Sequence, residues 1–136
     1  MRKSKFILLI LIVFLFSGCS NTLTCIYEQD KDYNVVKMKF SNDKITKLSV
    51  KEEKTYDDTD AYVEMFYYEQ LSAYNFLENI EGVKYKIKER KSTVTTKIEI
   101  DFSKVSNLNS KLIKVNNRNS YNDAKNIYTY LGYDCK

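Results

Sequence analysis

The sequence contains no histidine, no tryptophan and no proline, and only three glycines in 136 residues. Without histidine the chain lacks the commonest general base and the commonest transition-metal ligand. So few glycines leave no Gly-rich phosphate loop, and the absence of proline removes proline-rich linkers. Nor does one sign of charge dominate: 22 Lys and Arg stand against 18 Asp and Glu, a formal charge of +4. That excess is too small for a dedicated nucleic-acid binder, which usually shows a strongly basic face. What is present is a single-domain length with 43% apolar residues, enough for one core and too many for a disordered chain.

The first segment is the most informative. Arg2, Lys3 and Lys5 form a positive cluster, and Phe6 to Phe16 is an unbroken apolar run. As a helix that run rises about 16 Å, roughly half of a bilayer core of ~30 Å. It is too short for a stable span and suits the apolar region of a secretory signal. The run ends Leu15-Phe16-Ser17-Gly18-Cys19-Ser20. Small residues directly before a cysteine resemble a bacterial lipobox, although Phe16 stands where leucine is usual and Leu15 lies one place earlier. The resemblance implies cleavage between Gly18 and Cys19 and a diacylglycerol on the Cys19 sulfur, so that residues 1–18 are a lipoprotein signal peptide. Two acyl chains, palmitate among them, anchor stably where one is marginal, at ~0.8 kcal/mol per buried methylene. The alternatives are an ordinary secreted protein with a free Cys19, or an uncleaved short anchor. The expected location is the extracytoplasmic face of the cell membrane. Loss of the leader removes three cations and no acid, which leaves the remainder near neutral.

One lipidated cysteine of three leaves Cys25 and Cys135. In an extracytoplasmic compartment an even pair reads as a disulfide, here tying the first strand to the residues after the last helix. Closing so long a loop contributes roughly 4–5 kcal/mol in the chain-entropy model, as an upper figure. Two unpaired, packed thiols are the alternative. Two cysteines without histidine argue against a zinc site, and no metal or cofactor is expected.

Residues 19–24 read as a short tether and residues 25–136 as one domain. Thr22 to Glu28 alternates and is β-rich. Val36, Met38 and Phe40 share a parity opposite to Lys37 and Lys39, which marks a half-buried strand. Ser41-Asn42-Asp43-Lys44 is a turn by composition. Thr46, Leu48 and Val50 then face one way, and Ile45 breaks the phase, as at a bulge or strand start. From Ala61 the residues Val63, Phe66, Tyr67, Tyr74 and Leu77 fall at helical spacing, which predicts a helix to about Glu78, ended by Ile80-Glu81-Gly82. Val83, Tyr85 and Ile87 alternate with Lys84, Lys86 and Lys88, and Val94 to Phe102 is the cleanest strand. Residues 103–119 are ambiguous. Ser120 and Asp123 form a capping-box variant, Ala124, Ile127, Tyr128 and Leu131 follow at helical spacing, and Gly132 sits at the stop position.

Strands in runs, with helices segregated from them, predict an α+β domain. A β-meander, a helix, a β-hairpin and a C-terminal helix would form an antiparallel sheet with both helices packed on its apolar face and a lysine- and threonine-lined face in solvent. This order behind a lipobox resembles the YehR-like bacterial lipoproteins, a family without an assigned activity. The likeness runs from about Leu23 to Lys136 and rests on Ile80-Glu81-Gly82-Val83, Ile100-Asp101-Phe102-Ser103-Lys104-Val105 and Leu131-Gly132-Tyr133. The cysteine pair departs from Gram-negative forms and looks like a Gram-positive variant. The resemblance implies a lipoprotein of the cell envelope and supplies no catalytic residues.

Twelve tyrosines suggest either an aromatic platform for a glycan or peptide, or core packing with compositional drift. Tyr68 and Tyr130 fall off the apolar stripes and are the candidate ligand contacts. Asp57, Asp58 and Asp60 lack the spacing of an EF-hand loop and suit helix capping. Glu99 and Asp101 on one strand face would serve a hydrolase only within a concave site. Lys84, Lys86 and Lys88 make a basic stripe that suits a solvated strand face or an anionic lipid or polymer. The expectation is therefore a membrane-anchored, non-enzymatic binding or interaction module with no nucleic-acid partner and an unidentified protein or glycan partner. A structural accessory lipoprotein without ligand, or a carboxylate hydrolase, are the alternatives.

Overall fold

The computed structural model describes residues 21–56, 60–105 and 113–136. The proposed signal, Gly18, Cys19, Asp57, Asp58, Leu108 and Leu112 lie outside the described residues. The chain forms β1 (Asn21–Gln29), β2 (Asp32–Ser41), β3 (Lys44–Thr55), α1 (Asp60–Tyr74), a 3-10 turn (Asn75–Asn79), β4 (Val83–Arg90), β5 (Thr93–Asp101), α2 (Tyr121–Tyr130) and β6 (Asp134–Cys135). The strands make one antiparallel sheet in the order β4-β5-β3-β2-β1-β6, and the fold is α+β.

The meander follows from its turns. Asn42 and Asp43 both have positive φ, the pairing that a two-residue hairpin turn needs to match strand twist. The phase break at Ile45 is a bulge: Phe40 faces Ile45 and Lys39 faces Lys47, so Thr46 has no partner across the ladder. Ile45 fills the core, and the displaced Thr46 hydroxyl donates to the Lys39 carbonyl at 3.1 Å. Thr46 therefore does not share the buried parity of Leu48 and Val50, as alternation alone implies.

One core cluster joins the inward residues of the sheet, among them Met38, Leu48, Ile98 and Ile100, to Tyr74 of α1, Leu77, Ala124 and Tyr128. Ile113 and Val115, from the stretch that alternation leaves ambiguous, also belong to it. The α-helix ends at Tyr74, earlier than periodicity predicts, and the 3-10 turn keeps Leu77 buried. Gly82 is required where the chain enters β4: its φ is +86°, and a Cβ there would lie 2.6 Å from the Lys104 Cβ.

The last helix begins as expected, with the Ser120 hydroxyl accepting from the Asp123 N–H at 3.1 Å and the Asp123 carboxylate accepting from the Ser120 N–H at 3.2 Å. It closes in a Schellman motif, with Tyr133 N–H to Tyr128 C=O and Gly132 N–H to Thr129 C=O, both 3.0 Å. The accompanying contact is aromatic: the Tyr128 and Tyr133 rings meet at 5.1 Å. Leu131 departs from its expected place in the core. It is the C-cap, past the last helical turn, and it is exposed. The turn sends the chain back along β1 as β6, an element too short for sequence periodicity to show.

Candidate functional site

The outward side chains of the strands form rows whose composition only the register defines. Thr24, Lys37, Ser49, Glu99 and Lys84 are successive cross-strand partners from β1 to β4. The next row holds Thr22, Lys39, Lys47 and Asp101. These two rows, Thr24 excepted, line a groove of about 550 Å³. Lys104, from the turn after β5, and the backbone of Gly82 complete its wall. Lys37 and Lys39 lie roughly 7 Å apart along β2, the repeat of alternate strand residues.

The groove holds five lysines (Lys37, Lys39, Lys47, Lys84 and Lys104) and two carboxylates. Among the described residues, Lys37, Lys39, Lys47 and Lys84 make no ion pair within 4.0 Å, whereas Lys104 lies 3.4 Å from Glu81. The Asp101 carboxylate is engaged at its own turn. It accepts from the Ser103 hydroxyl at 2.6 Å and from the Ser103 N–H at 3.0 Å. Those hydrogen bonds, with Lys47 and Lys104 nearby, hold its carboxyl below the usual range. A third row continues the basic character: Lys97 stands opposite Lys51 on one side and Lys86 on the other. Lys51 is balanced in part by Glu53 and by the Tyr33 ring beneath it.

The basic residues of this face have an acidic counterpart elsewhere in the sequence. Between Tyr56 and Val83 stand Asp57, Asp58, Asp60, Glu64, Glu69, Glu78 and Glu81, without one Lys or Arg. The charge is therefore segregated, with lysines on the outer sheet face and carboxylates in this segment.

The inner face is polar only at the end remote from the groove. Glu52 lies between Asn34 and Thr96 in register, and burial pushes its carboxyl up, opposed by Lys54. Thr96 donates to Gln70 Oε1 at 3.4 Å and Asn34 Nδ2 to the Tyr133 hydroxyl at 3.5 Å. Burial pushes the Tyr128 phenol up to about 12. Beside these rings Cys25 and Cys135 face each other in register, with Cα atoms 4.0 Å apart and a disulfide between them.

The other sequence candidates stay dispersed. Tyr68 and Tyr130 are both exposed, 60% and 91%. They are not brought together, because α1 packs against β4 and β5 while α2 packs against β1 and β6. Tyr62, Met65, Tyr68 and Phe76 leave an apolar strip on the outer side of α1 and the 3-10 turn. Asp60 opens α1, but the rest of its acidic cluster is outside the described residues. Among the described residues no group of three or more acidic or cysteine side chains is placed to hold a metal ion, and no helix is long and apolar enough to cross a membrane. Glu99 and Asp101 do line a concave surface, the condition that a hydrolytic role requires. What sequence reasoning missed is the groove itself. Lys84 is legible as part of a stripe along one strand, but its neighbours Lys37, Lys39 and Lys47 come from strands distant in sequence. Their shared outward parity is the signal that was available.

No family model matches the sequence, and no curated protein sequence matches it. Solved structures do. The NMR structure of the Escherichia coli YehR protein superposes with a TM-score of 0.64 at 16% identity, covering 88% of this chain and 93% of that one. The NMR structure of a protein from Streptococcus pneumoniae TIGR4 gives 0.57 at 16% identity, covering 88% and 87%. The chain thus has a YehR-like fold.

Proposed function

We propose that this protein is a lipid-anchored, extracytoplasmic, non-enzymatic binding module of the bacterial cell envelope, of the YehR-like kind, and that it binds through the outer face of its sheet. The observation that carries this reading is the groove, lined by five lysines of which four make no ion pair among the described residues, on a face where solvent alone would demand no particular order. In this reading both helices cover the opposite face, consistent with Tyr74 and Tyr128 sharing one core cluster with the inward strand residues. The leader, residues 1–18, the small residues before Cys19 and the Cys25–Cys135 disulfide, at home in an oxidising compartment, support the location.

The groove also gives a carboxylate hydrolase its one favourable observation. Such an enzyme needs an acid whose proton is retained near neutrality. Asp101 is shifted the other way, and its hydrogen bonds from Ser103 tie it to its own turn, so it does not supply that acid.

Metabolic labelling with palmitate tests the anchor. Wild type is expected to take up label and to partition with membranes, and Cys19→Ala to lose both. A wild-type product that is unlabelled, cytosolic and still begins at Met1 contradicts the proposal.

A further inference from the structure

Resting on the reading just given, we infer that the groove binds a linear polyanion whose charges are phosphodiesters, a polyol-phosphate chain. Charge supplies the first argument. Five ammonium groups face two carboxylates in the groove, and Asp101 is already engaged by Ser103. The second is the arrangement of like charges. Lys39 stands directly opposite Lys47, and Lys97 opposite both Lys51 and Lys86. Like charges at opposed positions destabilise a sheet, and these pairs serve neither the core nor the ladder. An anion in the groove lies between Lys39 and Lys47 and removes the repulsion of that pair.

The type of cation narrows the class. Every basic residue in the groove is lysine. Lysine acts as a mobile point charge that meets phosphate oxygens without the fixed bidentate geometry of the arginine fork, which suits charges carried on a flexible chain. Shape narrows it again. The surface is concave and crosses β1, β2, β3, β5 and β4, with the Ser49 and Thr22 hydroxyls available as further donors. A strand-like polymer follows such a channel, while a planar headgroup layer meets chiefly its rims. Position fits as well. Thr22, in the groove lining, is three residues from Cys19, a separation that three residues of chain can make at most roughly 10 Å. An anchored molecule would hold the polymer close to the membrane surface, and the acidic segment between Tyr56 and Val83 would orient the approach.

The test uses the full protein purified in detergent from whole cells that produce it, with a fluorescent synthetic poly(glycerol phosphate) as probe. Saturable binding is expected at low ionic strength, weakening steeply with added salt. The double variant Lys39→Gln/Lys47→Gln is expected to weaken it by roughly tenfold or more. Lys88→Gln, on the same face but outside the groove, is expected to bind as wild type, and thermal melts check that each variant is folded. Absence of binding at low salt overturns the inference, as does wild-type affinity in the double variant. Equal affinity for polyglutamate of matched charge overturns the phosphodiester assignment. Binding confined to vesicles of phosphatidylglycerol assigns the face to the membrane instead. Palmitate labelling separates the two claims: a labelled protein that ignores the polymer sinks this inference alone, and an unlabelled protein that binds it sinks the anchor alone.

Discussion

The two faces of the same strands obey different rules. Met38, Leu48 and Ile100 are within 2% of full burial, and the residues next to them, Lys37, Lys47 and Glu99, are exposed. The inner face is determined by what must leave water. A slip of one residue would send every apolar side chain outward, so its register is strongly specified. The outer face inherits that register and is free in composition. Folding asks only that it be polar. It nevertheless gathers lysines into opposed pairs that weaken the sheet, while acidic residues accumulate in the helical segment. Packing explains the first face; the proposed binding partner would explain the second.

That contrast breaks most visibly by deletion on the inner side. Ile98 is fully buried in the middle of the core, and Ile98→Ala is expected to cost about 2–5 kcal/mol in a denaturant titration. A loss under 1 kcal/mol would mean that the inner face is not the stabilising one.

The polar end of the inner face sharpens the contrast through pH. Burial raises the Glu52 carboxyl above its ordinary 4.5, so the folded state holds this proton more tightly than the unfolded state. Stability linked to Glu52 is then fully present below that value and is lost as pH rises through the folded-state value. Glu52→Gln is expected to raise the Tm at pH 7, with the gain shrinking to nothing below about pH 4.5. A gain independent of pH would point to packing instead of ionisation.

The smallest expected effect comes from the outer face. Lys97→Glu converts two like-charge contacts, with Lys51 and Lys86, into attractive ones. Because the site is exposed, stability should rise by only a few tenths of a kcal/mol, measured by thermal denaturation at low salt. A loss of stability would show that these lysines do not repel one another.

Much of the fold was legible in the sequence because burial writes itself as periodicity. Val94, Thr96, Ile98, Ile100 and Phe102 are all buried, as their alternation implies, and Ser120, Asp123 and Gly132 bound the last helix as their chemistry dictates. Leu131 misled because helical spacing carries no information about where the last turn stops. β6 was invisible because two residues have no period. The Cys25–Cys135 pairing followed from counting once an oxidising compartment was assumed. The groove was not legible, for a different reason. Exposed lysines read as solvated positions strand by strand, and their meaning lies in rows that cross the sheet. Lys39 and Lys47 become a pair only when the turn at Asn42 and Asp43 and the bulge at Thr46 are both in place.

The claim that the outer face is the binding surface is tested most directly by mapping amide chemical shifts on titration with poly(glycerol phosphate). The account predicts changes concentrated at Lys37, Lys39, Lys47, Ser49, Lys84 and Glu99, with the exposed Tyr62 and Tyr68 side of α1 silent. Changes centred on α1, with the groove unmoved, would contradict it.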